Sequence, residues 1–422
     1  MSYPGRRPTP ARWPALALAL TGLLLTACTP TQPTADPAIP EAVSPRTSPT
    51  TQGGEKLARP SYVVTVGDSY ISGEGARWAG NTVGNAHGVD ALGPDAYADQ
   101  GGRESQPGCH RAEQSIATLG LPNLGAKNLA CSGAATRSEI AGSRFTPGLD
   151  FYRDRRGNRG QALLLERFAG SHDVSHIVVS VGGNDFGFGS LIARCAGGFI
   201  GFGPAGRTAC SDDARIRSVF ADDNAQSVTR DTAAALSRVG RAMRRAGYTE
   251  ADYTMIVLTY PSPLPTSAQV RYARDDARFR AGGCPFFDAD LDWANDTALT
   301  TINASVTAAV RRLGAANVVR LDLARALEGS RLCERGVNTF PASQLPSWRA
   351  PAAAQRLEWV NRIYFTFAPW QVQESLHPNY WGMRAGQDCV RRLVVRPVPA
   401  SASCLPTGLL APDGSPAMRL AR

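Results

Sequence analysis

The chain is almost without lysine: Lys56 and Lys127 are the two among 45 basic residues, and arginine supplies the rest. Formal net charge is +9, of which Arg6, Arg7 and Arg12 carry three, leaving +6 (9 − 3) for the remainder. The arginines are scattered among acids with no long basic run. That pattern reads as a solvated surface and argues against a nucleic-acid partner. No Cys-x-x-Cys pair occurs, which argues against a zinc site. No internal repeat is visible. After the first 28 residues, no stretch is apolar enough to span a bilayer. Histidine is scarce, with five in 422 residues, so each one can be weighed. Against these absences, 43% of the residues are hydrophobic, enough for a sizeable core in one large domain or two smaller ones.

Residues 1–28 read as an export signal. Arg6, Arg7 and Arg12 form a basic start, and Ala15 to Leu25 is an apolar run too short to be a stable spanning helix. The run ends in Leu25-Thr26-Ala27-Cys28, which resembles the lipobox of bacterial lipoproteins; that resemblance implies lipidation of Cys28 and attachment to the membrane. Of nine cysteines, eight then remain: Cys109, Cys131, Cys195, Cys210, Cys284, Cys333, Cys389 and Cys404. An even set in an exported chain implies disulfides. Spacing alone does not define connectivity. Consecutive pairing (109–131, 195–210, 284–333, 389–404) is adopted because each pair closes a loop within one region. Residues 29–59, rich in Pro, Thr, Ala and Ser, read as a disordered tether. A single domain is expected over 60–405, with a tail over 406–422.

The domain is organised around Tyr62-Val63-Val64-Thr65-Val66-Gly67-Asp68-Ser69. Its β-branched and aromatic run predicts a buried strand ending at Gly67, with a polar turn presenting Asp68 and Ser69. Residues 74–115 form a long connection with weak periodicity, a length often associated with function. Further strands are expected over 126–131, 176–181, 253–260 and 317–321. Helices are expected over 161–168, 227–246, 292–313 and 380–393. A Gly- and Phe-rich excursion lies between Asp185 and Cys210. Strands alternating with helices predict an α/β fold with a parallel sheet covered on both faces. The turns at Ser69, Gly133 and Asn184 each follow a strand, so a parallel sheet brings them to one edge.

Those residues suit acyl transfer. A serine hydroxyl needs a base to take its proton, and histidine is the side chain suited to that near neutral pH. His377 precedes Pro378, which sets an extended turn. His87, His110, His172 and His176 read instead as surface or hydrogen-bonded residues. The developing oxyanion needs donors, which the N–H of Ser69, the N–H of Gly133 and the amide of Asn184 can supply. Gly133 suits a close backbone approach that tolerates no Cβ. Asp68 and Asp185 read as local turn or cap groups. Phe186, Phe188, Phe199, Trp370, Tyr380 and Trp381 flank the motifs; core packing is the default for each, an acyl pocket the alternative.

In these blocks the chain resembles the SGNH (GDSL) hydrolases. Gly67-Asp68-Ser69-Tyr70 resembles the first block, with Tyr70 in place of the commoner leucine. Gly133 matches the glycine of the second block. Gly182-Gly183-Asn184-Asp185 resembles the Gly-x-Asn-Asp block, and Glu374-Ser375-Leu376-His377-Pro378 the Asp-x-x-His-Pro block, with Glu374 where aspartate is usual. The match spans about residues 60–395, and its exported, disulfide-rich form resembles actinobacterial members. The absence of a Gly-x-Ser-x-Gly elbow argues against the α/β-hydrolase fold. The resemblance implies a flavodoxin-like three-layer sandwich and an extracytoplasmic esterase or lipase, with no cofactor or metal. Ser69 is then the nucleophile, His377 the base and Glu374 its orienting partner, through its carboxylate or its backbone carbonyl. The expected partners are an ester substrate, either a lipid or an acylated small molecule or polysaccharide, and the membrane at Cys28, with the chain a monomer. Two other readings stay open: an O-acetyl esterase or acyltransferase acting on cell-wall sugars, and a non-catalytic surface lipoprotein that binds sugar or lipid.

Overall fold

A computed structural model describes residues 60–422 apart from 85, 202–205, 275, 365–371 and 399. The export signal, Cys28, the tether and Trp370 therefore lie outside the described residues. The strands are β1 (Ser61–Gly67), β2 (Leu124–Asn128), β3 (Glu139–Ala141), β4 (Arg144–Thr146), β5 (Asp173–Ser180), β6 (Thr254–Leu258), β7 (Val318–Asp322), β8 (Ser401–Leu410) and β9 (Pro416–Ala421). Seven of them form one sheet in the order β2-β1-β5-β6-β7-β8-β9, while β3 and β4 make a separate hairpin. Every pairing from β2 across to β8 is parallel, and only β9 runs antiparallel, beside β8.

The central strands are apolar on both faces because both faces are covered. Val63 of β1, Val178 of β5, and Ile256 and Leu258 of β6 enter one core. Val64 and Val66, Ile177 and Val179, and Met255 and Val257 enter the other. Val64 and Val66 are fully buried, which stabilises the fold by about 1.5–3 kcal/mol per side chain. The second core is closed by α2 (Gln161–Ala169), α4 (Asp222–Arg245) and α5 (Thr300–Leu313). In α4, Val228, Leu236, Val239 and Met243 form the buried face. Asp222 and Asp223 open that helix and Arg244 and Arg245 close it, matching its dipole. The first core is closed by α6 (Tyr380–Val395) and by the long connection after β1.

Three elements differ from the sequence reading. The Gly- and Phe-rich excursion contains a helix, α3 (Phe188–Ile200), which buries Cys195, Ala196 and Phe199 on one side. The helix expected over 292–313 begins earlier and contains a π-helical turn: Asp288–Trp293 is α-helical, Ala294–Leu299 forms the π turn, and α5 follows. Asn295 sits in that turn, donating to the carbonyl of Leu291 and bonding Ser262 Oγ. Finally, residues 406–422 are no tail. β8 and β9 pair across the boundary expected at 405, and Asp388 of α6 accepts the N–H of Met418 at 2.9 Å. The four disulfides are Cys109–Cys131, Cys195–Cys210, Cys284–Cys333 and Cys389–Cys404, the consecutive pairing.

Candidate active site

The chain passes from β1 to β2 on one side and then to β5 on the other, so the order reverses between β1 and β5. Crevices at such reversals, beyond the carboxyl ends of the strands, are where open α/β sheets bind ligands. Here β1 ends against β5. A Cβ on Gly67, whose φ is +144°, would lie 1.9 Å from the carbonyl oxygen of Ser180. Only glycine permits this approach. The N–H of Asp68 donates to that carbonyl at 3.0 Å. The buried amide of Gln161 then clamps Gly67, accepting from its N–H at 2.6 Å and donating to its carbonyl at 2.9 Å.

From this clamp the chain enters the single turn α1 (Ser69–Ser72), capped by Asp68, which accepts from the N–H of Tyr70 at 3.1 Å. Asp68 also accepts from Tyr260 Oη and from Ser180 Oγ. Burial raises its pKa to about 7, opposed by the bonds from Tyr260, Tyr70 and Ser180. Tyr260 Oη in turn accepts the N–H of Gly183 at 2.9 Å, tying the Ser69 turn to the Asn184 turn. Asp185 is not a local cap: it accepts from the N–H and hydroxyl of Thr136, the latter at 2.6 Å, and so binds the Gly133 segment to the Asn184 segment.

These ties bring the three turns to one place. Ser69 Oγ lies 2.7 Å from His377 Nε2, across 308 residues of sequence. The N–H groups of Ser69 and Gly133 have no acceptor among the described residues. Asn184 spends one amide N–H on the carbonyl of Ala134, at 2.9 Å, and keeps the other. Gly133 has φ +80°, with nothing nearer to its missing Cβ than Thr146 Cγ2 at 3.9 Å. Its left-handed backbone, rather than a crowded approach, is what calls for glycine here.

His377 is buried, and burial lowers its pKa below the usual imidazole value, leaving it a neutral base at physiological pH. Its ring stands 5.2 Å from that of Tyr70, whose hydroxyl donates to the carbonyl of Leu376 at 3.2 Å. Asn361 brackets the same turn: its N–H donates to the carbonyl of His377 at 2.9 Å, and its carbonyl accepts the N–H of Leu376 at 3.1 Å. Leu376 has φ +59°, a left-handed strain that these bonds on either side hold in place.

The carboxylate of Glu374 does not reach His377. It is fully buried and accepts from Trp78 Nε1 at 2.7 Å and from Tyr97 Oη at 2.6 Å. Burial raises its pKa to about 7, opposed by those two bonds and reinforced by the nearby charge of Glu74. His377 Nδ1 has no hydrogen-bond partner among the described residues. The backbone of Ser375 and of Glu374 acts on the ring and raises its pKa, without a bond of ordinary geometry to Nδ1. Of the two ways in which Glu374 could orient His377, the carboxylate–imidazole contact is therefore absent, because the longer side chain is drawn into a separate polar pocket.

Beside Ser69 a hollow is lined by Tyr70, Gly183, Asn184 and Phe188. It shares Phe188, Pro263, Leu299 and Ile302 with a larger hollow walled by Leu191, Ile192, Phe286, Trp293 and Leu376. Of the motif-flanking aromatics, Phe188 lines this space. Phe186 and Phe199 are core residues, and Tyr380 and Trp381 pack against Trp348. His172 stacks on Phe168 at 4.0 Å, while His110 is buried beneath the site. Sequence reasoning missed Gln161, Tyr260, Asn361, Trp78 and Tyr97. Each acts through partners far away in the chain, and no local pattern marks them.

No family model matches the chain, and no curated protein matches it. Solved structures do. An extracellular lipase from Streptomyces rimosus overlays with 17% identity and a TM-score of 0.43, covering 77% of this chain and 96% of its own. A family two carbohydrate esterase from Clostridium thermocellum has 13% identity and a TM-score of 0.35, covering 80% and 64%. A carbohydrate acetylesterase from Sinorhizobium meliloti has 9% identity and a TM-score of 0.32, covering 79% and 98%. Likenesses of this degree decide neither activity nor substrate.

Proposed function

We propose that the chain is an extracytoplasmic serine ester hydrolase of the SGNH type. The observation that carries this reading is the 2.7 Å contact of Ser69 Oγ with His377 Nε2, set among N–H groups from three separate turns. His377 takes the Ser69 proton as Oγ attacks the ester carbonyl carbon. The N–H groups of Ser69 and Gly133 and the spare amide N–H of Asn184 receive the charge that develops on the carbonyl oxygen. Collapse breaks the ester C–O bond, and the imidazolium returns its proton to the departing alcohol. A water molecule repeats the sequence on the acyl-enzyme and frees the acid. The catalytic pair works as a dyad, with the backbone beside Glu374 and Ser375 rather than a carboxylate against the imidazole. The four disulfides support an oxidising, extracytoplasmic setting.

The apolar hollow next to Ser69 favours acyl groups longer than acetyl, which ranks a lipid-like ester above an O-acetylated sugar. Hydrolysis of nitrophenyl esters from acetate to palmitate, with Ser69→Ala as control, tests the reading. Ser69-dependent cleavage rising beyond acetate is expected. Activity confined to acetate favours the sugar O-acetyl reading, and activity surviving in Ser69→Ala overturns the nucleophile assignment.

A further inference from the structure

Away from Ser69, the end of α6 and the final strand enclose a cleft dominated by arginine. Arg391, Arg392, Arg396, Arg419 and Arg422 line it, with apolar side chains between them, among them Val395 and Leu420. None of these residues lines the hollows beside Ser69. α6 begins just past His377 and is 16 residues long, so its far end lies roughly 24 Å from its start at 1.5 Å per residue. The cleft is therefore a separate feature of the molecule.

The sequence scatters these charges and the fold gathers them between two walls that are tied together. The Cys389–Cys404 disulfide joins α6 to β8, where Cys404 stands opposite Leu420 of β9. Asp388, itself buried, accepts from the N–H of Met418 at 2.9 Å, from Arg391 Nη2 at 2.7 Å and from Arg392 Nε at 2.8 Å. One buried carboxylate thus fixes two guanidinium groups against β9. Arg396 and Arg419 are exposed and have no ion pair among the described residues. Arg391, Arg392, Arg396 and Arg419 set against Asp388 give +3, half of the +6 that residues 60–422 carry once the +3 of residues 1–59 is taken from +9. Val395, 57% exposed, stands among the arginines in the last turn before Pro397 ends the helix. Arginines in a last helical turn suit the helix dipole, and charges on a final strand guard a sheet edge. Neither role calls for a shared cleft or for an exposed valine within it.

We propose that this cleft docks on an anionic phospholipid surface, with the guanidinium groups on headgroup phosphates and Val395 at the acyl boundary. Guanidinium forks match phosphate oxygens in geometry and charge. Basic side chains mixed with exposed apolar ones are what an interfacial element presents to anionic lipid. No aromatic residue lines the cleft among the described residues, so it offers no platform for the stacked bases of a single-stranded nucleic acid. Four arginines near such a surface give an affinity of roughly 1 mM. That is too weak to retain the domain alone and suits a second contact beside a lipid on Cys28. The inference does not depend on the ester chemistry at Ser69.

The test is cosedimentation of the full chain carrying Cys28→Ala with phosphatidylcholine vesicles that contain phosphatidylglycerol, at low salt. Binding should rise with phosphatidylglycerol content and fade as salt is added. Adding Arg396→Ser and Arg419→Ser should weaken the phosphatidylglycerol-dependent binding about thirtyfold, equivalent to about 2 kcal/mol. Both proteins keep the same leader, so the difference reports the cleft. Tm should be unchanged, because neither side chain has an ion pair to lose. Val395→Ser should weaken vesicle binding and leave the binding of inorganic polyphosphate as it was; it decides alone if the arginine pair lowers Tm. Equal vesicle binding with and without Arg396 and Arg419 overturns the inference. Polyphosphate binding without vesicle binding also overturns it, and assigns the cleft to a soluble polyanion.

Discussion

Substituting Glu374→Gln separates two ways of supporting the histidine. The side chain sits where the sequence suggests a triad acid, yet both its oxygens are engaged by Trp78 and Tyr97. A carboxylate bonded to Nδ1 would make the amide variant fall toward roughly 10⁴-fold in kcat, about 5.4 kcal/mol of transition-state stabilisation. With the observed bonding, the amide oxygen still accepts from Trp78 and only a distant charge disappears, so a loss below about tenfold is expected. Stability should respond more than catalysis. An amide NH2 facing the Tyr97 hydroxyl, in place of an oxygen that accepts from it, costs about 1–3 kcal/mol in a buried pocket. The pH dependence has a defined sign. Burial lifts the folded-state pKa from 4.5 to about 7, so the native protein holds a proton that the unfolded chain releases between those values. Stability from this group is therefore fullest below pH 4.5 and declines as pH rises to about 7. Glutamine does not titrate, so the Tm of the variant should fall less steeply across that window. The assay is kcat/KM on a nitrophenyl ester beside His377→Ala, with Tm measured from pH 4 to pH 8. A folded Glu374→Gln protein that loses about a thousandfold or more in kcat refutes the dyad reasoning.

Asn184→Ala should lower kcat by roughly 10²–10³, as for one lost oxyanion donor, and a change confined to KM would remove Asn184 from that role. Denatured without reductant, the domain should label at no thiol among its eight paired cysteines; labelling at two or more positions would contradict the disulfide set. Cys28→Ala should release the protein from the membrane fraction, and unchanged fractionation would count against lipidation.

The parts legible in the sequence are those whose cause is local. β1, β5 and β6 declare themselves by β-branched runs, because strands buried on both faces have no polar positions to alternate with. Ser69, Asn184 and His377 stand out because each follows such a run or sits in a distinctive turn. The illegible parts have distant causes. α3 hides behind Gly189, Gly197 and Gly198, which weaken a helical pattern that tertiary packing then restores. β8 carries Pro406 and Gly408 and mostly exposed or half-exposed positions, as suits a strand next to a sheet edge. The direction of the Glu374 carboxylate is illegible for the same reason: Trp78 and Tyr97, which decide it, lie 296 and 277 residues away. His110 reads as an ordinary loop histidine until the fold sets Glu74 beside it.

The proposed nucleophile, Ser69, opens the turn after the first strand, and its proposed base, His377, lies just before α6, 308 residues later. During synthesis, the serine therefore emerges long before the histidine proposed to activate it. A hydroxyl without a base is a feeble nucleophile. Nascent chains and fragments cut anywhere between those two points are thus expected to be silent toward esters. On the proposed reading, activity arises only when both ends of the domain have met.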